Sequence, residues 1–202
     1  MDFKGNHKET LVYIEMKMTE KIIEKIDYSK NYLSKGEYDN CTFDNCIFSN
    51  SDLTNITFVE CEFKNCDLSL AKLRNTALKD VKFLNCKLLG LHFEECNSFL
   101  LSVDFEGCNL NLSSFYRLKL KGTKFKNCSL QEVDFTETDL TSSIFDNCDL
   151  LSSIFGNTVL EKADFRTSYN YALDPEINRI RKAKFSIYGI IGLLGKYNIL
   201  VE

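Results

Sequence analysis

A five-residue period runs through most of this chain and limits its fold more than any other feature. Large apolar residues recur at every fifth position from Phe43 through Phe48, Leu53, Phe58 and Phe63 to Phe93. After a short break the period resumes at Phe105 and runs through Leu110, Phe115, Leu120 and Phe125 to Phe165. Two residues before most of these centres stands something small or thin, such as Cys41, Ser51, Ala71, Ser113 or Ala163. Helices repeat every ~3.6 residues and strands every ~2, so neither accounts for the pattern. A fixed short repeat points to a solenoid, in which each unit buries its apolar face only by stacking on its neighbours.

The cysteines obey the same rule. Cys41, Cys46, Cys61, Cys66, Cys86, Cys96, Cys108, Cys128 and Cys148 all lie two residues before an apolar centre or its equivalent. Where the break shifts the centres by two residues, the cysteines shift with them. Their role is therefore expected to be that of small buried fillers. His7 and His92 stand far apart and complete no zinc pattern, so neither a metal nor another cofactor is expected. Nine free thiols fit a reducing compartment. The first residues, MDFKGNHKETLVYIEMK, hold no apolar signal core, and no run approaches the ~20 apolar residues of a membrane span. The expectation is a cytoplasmic protein without membrane contact.

The pattern small–polar–Leu/Phe–polar–any, as in Cys41-Thr42-Phe43-Asp44-Asn45 and Ala163-Asp164-Phe165-Arg166-Thr167, resembles the pentapeptide-repeat family. The resemblance covers about residues 28–167 and implies an all-β fold, a right-handed quadrilateral β-helix of 20 residues per coil. The sequence carries its own test of that number. Residues one coil apart should stack, and one such ladder reads Phe43, Phe63, Phe83, Phe105, Phe125, Phe145 and Phe165. Its neighbouring small position reads Cys46, Cys66, Cys86, Cys108, Cys128 and Cys148. Uniform ladders of this kind arise only if four pentads close a coil. At the usual strand spacing of ~4.8 Å the coils should make a rod of roughly 30–35 Å. The break near Ser98 adds two residues, so Phe99 or Leu101 must leave the inward positions.

The sequence divides into an N-terminal extension (1–18), the repeat (19–168) and a C-terminal cap and dimerisation segment (169–202). Asp174-Pro175-Glu176 reads as a helix start. Ser186 could cap a second, apolar helix from Ile187 to Leu194, ended by Gly195, and Ile199–Val201 reads as a closing strand. A helix bearing Ile187, Ile190, Ile191, Leu193 and Leu194 must pack on something, in part on the last coil and in part on a second copy. This tail is similar in type to that of the Qnr-type quinolone-resistance pentapeptide proteins and their mycobacterial relative. The resemblance implies an end-to-end homodimer that mimics duplex DNA and binds DNA gyrase or topoisomerase IV.

No catalytic constellation stands out, and an enzyme is not expected. Residues 36–168 carry 20 acidic against 13 basic side chains, which disfavours direct nucleic-acid binding. Two functions remain open. One is a DNA mimic acting through acids such as Asp104, Asp134 and Asp164, although Arg117, Lys119, Lys121, Lys124 and Lys126 interrupt the acidic body. The other is a scaffold that binds an unspecified protein partner through an outward apolar strip of Leu70, Leu89, Leu112 and Leu151.

Overall fold

The computed structural model describes residues 16–200, which form a four-sided parallel β-solenoid. All strand pairs are parallel, and most join residues 20 apart, as in Phe43 with Phe63 and Tyr38 with Phe58. Across the break the step lengthens to 22, with Phe83 opposite Phe105. Short strands occupy two adjacent faces, and isolated parallel bridges continue the stacking on the other two.

Each pentad buries two side chains and turns a corner with a third. The large centre and the thin residue before it fill the interior, and the second residue after the centre takes a left-handed conformation. Asn is the commonest residue at those corners, as at Asn45, Asn65, Asn85, Asn127 and Asn147, and it tolerates positive φ. Backbone amides that are not used within the turn donate to the next coil, as from Asn65 to Leu84. A square section thus emerges from a tight turn repeated every five residues.

Inside, identical side chains lie on one another. The seven phenylalanines from Phe43 to Phe165 stack almost parallel, with centroids 4.8 Å apart at Phe43–Phe63 and 4.5 Å at Phe145–Phe165. A second column, Phe93, Phe115, Phe135 and Phe155, meets the first edge-on, for example at 5.9 Å between Phe105 and Phe115. Both geometries suit the aromatic quadrupole. Most thin inward residues with polar atoms satisfy them on the preceding coil, Ser51 Oγ being an exception. Cys66 and Cys86 donate to the carbonyls of Phe43 and Phe63, both at 3.3 Å, and Thr138 donates to that of Phe115 at 2.8 Å.

The stack runs past both sequence-derived boundaries. Met16–Thr19 pairs with Gly36–Asp39, so part of the segment read as an extension belongs to the first coil. Residues 1–15 lie outside the described residues. At the other end Arg179 bridges Val159, Lys184 bridges Asp164, and Phe185 stacks on Phe165.

No helix starts at Asp174. The Asp174 carboxylate accepts the Glu176 amide, and Asn178 enters the interior, where it donates to the carbonyl of Phe155 and accepts the amide of Thr158. The open edge of the preceding coil satisfies more backbone groups than an isolated helical turn could, and it overrides the local capping pattern.

The second expected helix is shorter and tighter. Two 3₁₀ segments, Gly189–Leu193 and Gly195–Tyr197, replace Ile187–Leu194, and Asn198 at φ 49° ends them. Ser186 does cap the first segment, its Oγ accepting the Gly189 amide at 2.9 Å. Gly189 and Gly192 let the segment lie flat on Tyr171. A Cβ on Gly192 would stand 2.2 Å from the Tyr171 carbonyl oxygen. Ile199 and Leu200 form no strand, and Val201 lies outside the described residues.

Candidate protein-binding surface

Outside the core the four faces differ. At the corners of the second face Leu70 (φ 57°) and Leu112 (φ 61°) stand where Asn serves elsewhere. A left-handed leucine costs about 1–2 kcal/mol relative to an allowed conformation, and Asn escapes much of that cost. Both are more than half exposed, at 56% and 54%. Gly90 lies between them, and a Cβ there would meet Leu70 Cδ2 at 2.8 Å, so Leu70 leans over the glycine. With Leu89 beside Gly90, these leucines make one apolar patch on a rod edge.

Leu151 is separate. Asn111 and Gln131 stand between it and the patch, and both are tied into hydrogen bonds with Ser129 and Asp149. The strip expected from the sequence is therefore divided. Leu151 instead lines a groove of about 580 Å³ beside Tyr169, Tyr171, Tyr188 and Ile191. Sequence spacing missed the division because it tracks pentad phase and not what intervening coils carry.

The three acids singled out from the sequence do not converge. Asp104 and Asp164 lie on the first face, and Asp134 on the third. Their carboxylates serve the backbone. Asp134 accepts the Thr136 amide at 2.8 Å, Asp104 accepts the Lys124 amide of the next coil at 2.8 Å, and Asp164 accepts the Arg166 amide. Asp52, Asp67, Asp139 and Asp149 do the same two residues on. Much of the acidity of the repeat is thus turn chemistry. The Arg166 guanidinium holds the Asp164 carboxyl below the usual carboxylate range.

The first face does not present a negative stripe. Its column of outward residues runs Glu62, Lys82, Asp104, Lys124, with alternating sign. Of the central basic cluster, Arg117 pairs with Glu137 at 2.7 Å, Lys126 with Glu106 at 2.8 Å and Lys121 with Asp139 at 3.3 Å. These are exposed pairs of small energetic weight.

Every cysteine is buried and free. Burial pushes the Cys61 thiol up to about 12 and raises those of Cys46 and Cys96. Such thiols are poor nucleophiles. Among the described residues no three His, Cys, Asp or Glu side chains gather into a metal-binding group.

The repeat geometry is matched by sequence. The profile of the family described as "Pentapeptide repeat region" covers residues 37–111 and 91–165. The chain belongs to the pentapeptide-repeat family. HetL, a pentapeptide-repeat protein involved in heterocyst differentiation regulation from the cyanobacterium Nostoc sp. strain PCC 7120, shares the fold. The two are 17% identical with a TM-score of 0.52 over 86% of this chain and 85% of HetL. Full-length QnrB1, a plasmid-mediated fluoroquinolone resistance protein, aligns at 21% identity and a TM-score of 0.44 over 91% of this chain and 100% of QnrB1. No curated protein sequence matches.

Exposed apolar side chains also gather at the end of this pentapeptide-repeat rod. Ile187 and Tyr188 are 81% and 87% exposed, and Ile190, Ile191 and Leu200 are also exposed. Leu193 and Leu194 are half-buried, and Leu193 packs against the last coil. Of the five residues expected at a dimer contact, three are therefore exposed, Leu193 holds the cap to the core and Leu194 is half-buried. No helix among the described residues is long and apolar enough to cross a membrane.

Proposed function

We propose that this chain is a non-catalytic protein-binding rod in the cytoplasm that pairs end to end through its C-terminal cap. The observation that carries this reading is the crowding of exposed Ile187, Tyr188, Ile190 and Ile191 onto one rod end. Isolated apolar side chains are ordinary on a surface, but a contiguous set at the end of a solenoid marks an interface. A two-fold contact between caps covers both ends at once. The Leu70–Leu89–Leu112 edge then serves a protein partner, repeated once on each rod of the dimer. Light scattering on the purified protein tests the pairing, and a monomer at all concentrations would refute it.

A second reading names the partner as a type II topoisomerase, DNA gyrase or topoisomerase IV, with the rod acting as a DNA mimic that alters quinolone sensitivity. The observation favouring it is the exposed acid row Glu20, Glu60 and Asp80 on the corner between the fourth and first faces. The alternating first face weighs against it. Gyrase supercoiling with and without ciprofloxacin tests it. Inhibition or drug protection that fades with salt supports the mimic. No effect at micromolar protein removes it and leaves the leucine edge.

A further inference from the structure

We propose that the notch on the C-terminal side of the break binds a phosphate group. The two extra residues of the break open the stack on the fourth face. Asn109 and Ser114 still donate to the carbonyls of Cys86 and Leu91 on the preceding coil, but the equivalent bond from the Lys119 amide to Cys96 is not made. Asn97 bridges Ala77 on the coil before and Lys119 bridges Asp139 on the coil after, and the two do not bridge each other. The ladder resumes at Phe105–Phe125, while the Lys124 amide turns to the Asp104 carboxylate at 2.8 Å. The opening is a cavity of about 380 Å³ lined by Leu101, Ser102, Asp104, Lys119, Lys121 and Lys124.

Two backbone donors at this opening have no acceptor among the described residues. The Lys119 amide is one, and its equivalents at Ser114 and Asp139 both point to the preceding coil. The Lys121 amide is the other. One coil on, the matching Thr141 amide donates to the Asp139 carboxylate at 3.1 Å, and Asp52, Asp67, Asp134 and Asp149 close the same turn elsewhere. Lys119 stands where those acids stand, so the turn stays open and a positive charge replaces a negative one. The corner beside it is Gly122, at φ 74°, and a Cβ there would have no neighbour within 4 Å. No side chain therefore covers the notch from that corner.

Three ammonium groups surround the opening. Among the described residues Lys119 and Lys124 form no ion pair, and Lys121 reaches Asp139 at 3.3 Å. The nearby carboxylates are engaged or set back. Asp104 accepts the Lys124 amide, Asp139 accepts the Thr141 amide, and Asp80 lies beyond Leu100 on the corner row. Open amides beside ammonium groups make an anion-binding concavity, and charge-assisted hydrogen bonds are the strong ones. Two amides and three ammonium groups can share the three strong acceptor oxygens of a phosphate group, one more than a carboxylate offers. Phe99 and Leu100, exposed in the bulge just before Leu101, offer apolar contact to an organic group that the phosphate carries.

Amide chemical shifts of the isotope-labelled full chain at low salt test the site. Inorganic phosphate should move the Lys119, Lys121 and Gly122 amides along one saturable curve, and acetate should bind roughly tenfold more weakly or worse. ADP separates the two sources of the group. Tighter binding than inorganic phosphate assigns an organic phosphate, and equal or weaker binding assigns the free ion. K119D restores the acid of the neighbouring turns. Its carboxylate should cap the Lys121 amide, weaken phosphate binding by roughly tenfold or more, and leave the melting temperature unchanged or higher. K72D makes the same exchange on the third face and should leave phosphate binding as it is, which separates a local loss from one of net charge. Shifts spread evenly over the surface lysines, no saturation by about 10 mM phosphate, equal binding of acetate, or an equal loss in K72D would each overturn the proposal.

Discussion

The coils and the cap of this rod hold their apolar side chains in opposite ways. In the coils, Phe125 lies between Phe105 and Phe145 at 5.2 and 4.9 Å and is fully buried. In the cap, Ile187 and Tyr188 project into solvent while Leu193 alone of that segment packs against the core. A coil is satisfied by the next coil, and the last coil has none. The difference teaches that the interior of a solenoid specifies its shape, whereas its exceptions, at the ends and corners, are where partners can be chosen.

The largest way to break the contrast is to open the stack. F125A should cost about 3–5 kcal/mol, because the ring leaves a cavity that rigid coils cannot close. Thermal unfolding followed by circular dichroism should show a fall of roughly 10 °C or more. G192V strikes the other region. Its side chain cannot share space with the Tyr171 carbonyl, so the cap should lift with a loss of about 1–3 kcal/mol while the coils keep their spectrum. A variant that unfolded the coils as well would show that cap and stack are one cooperative unit.

Subtler changes sharpen the comparison. L70N and L112N should each stabilise the chain by about 1 kcal/mol, since Asn accepts the left-handed corner more readily than leucine. Urea midpoints check this, and a fall would mean that the exposed leucines hold the fold and not a partner. R166A should have the smallest effect, under about 1 kcal/mol because the pair is exposed and screened. Arg166 keeps the Asp164 carboxyl below its ordinary range in the folded state. Its contribution is therefore present above about pH 4 and lost as pH falls through the carboxylate range. Wild type and R166A should differ at neutral pH and converge in acid.

How far the sequence could be read follows the same division. The Phe43–Phe165 ladder and the Cys46–Cys148 ladder are legible because stacking makes burial periodic, and each coil repeats the demand of the last. The corner role of Asn45 and its kin was not read, because the motif leaves the position two residues past the centre open and only the backbone shows the recurrent Asn there to be left-handed. What also could not be read is whatever depends on a neighbouring coil. Asp174-Pro175-Glu176 carries a genuine capping pattern, yet the open edge above Thr158 captures Asn178 and prevents the helix. Leu151 shares a column with Leu89, yet Asn111 and Gln131 divide their surfaces. The acids at Asp134 and Asp164 suggested a charged surface by composition, and only hydrogen bonds to Thr136 and Arg166 reveal their work in turns.

The central claim is that the cap joins two rods end to end. Small-angle X-ray scattering, with mass from light scattering, on wild type and I187E/I191E tests it most directly. The account predicts a wild-type particle of twice the 23.3 kDa chain mass and about twice the length of a single rod, and a monomer of unchanged melting temperature for the variant at high salt. A wild-type monomer at high salt, or a variant that kept the long dimer, would contradict it.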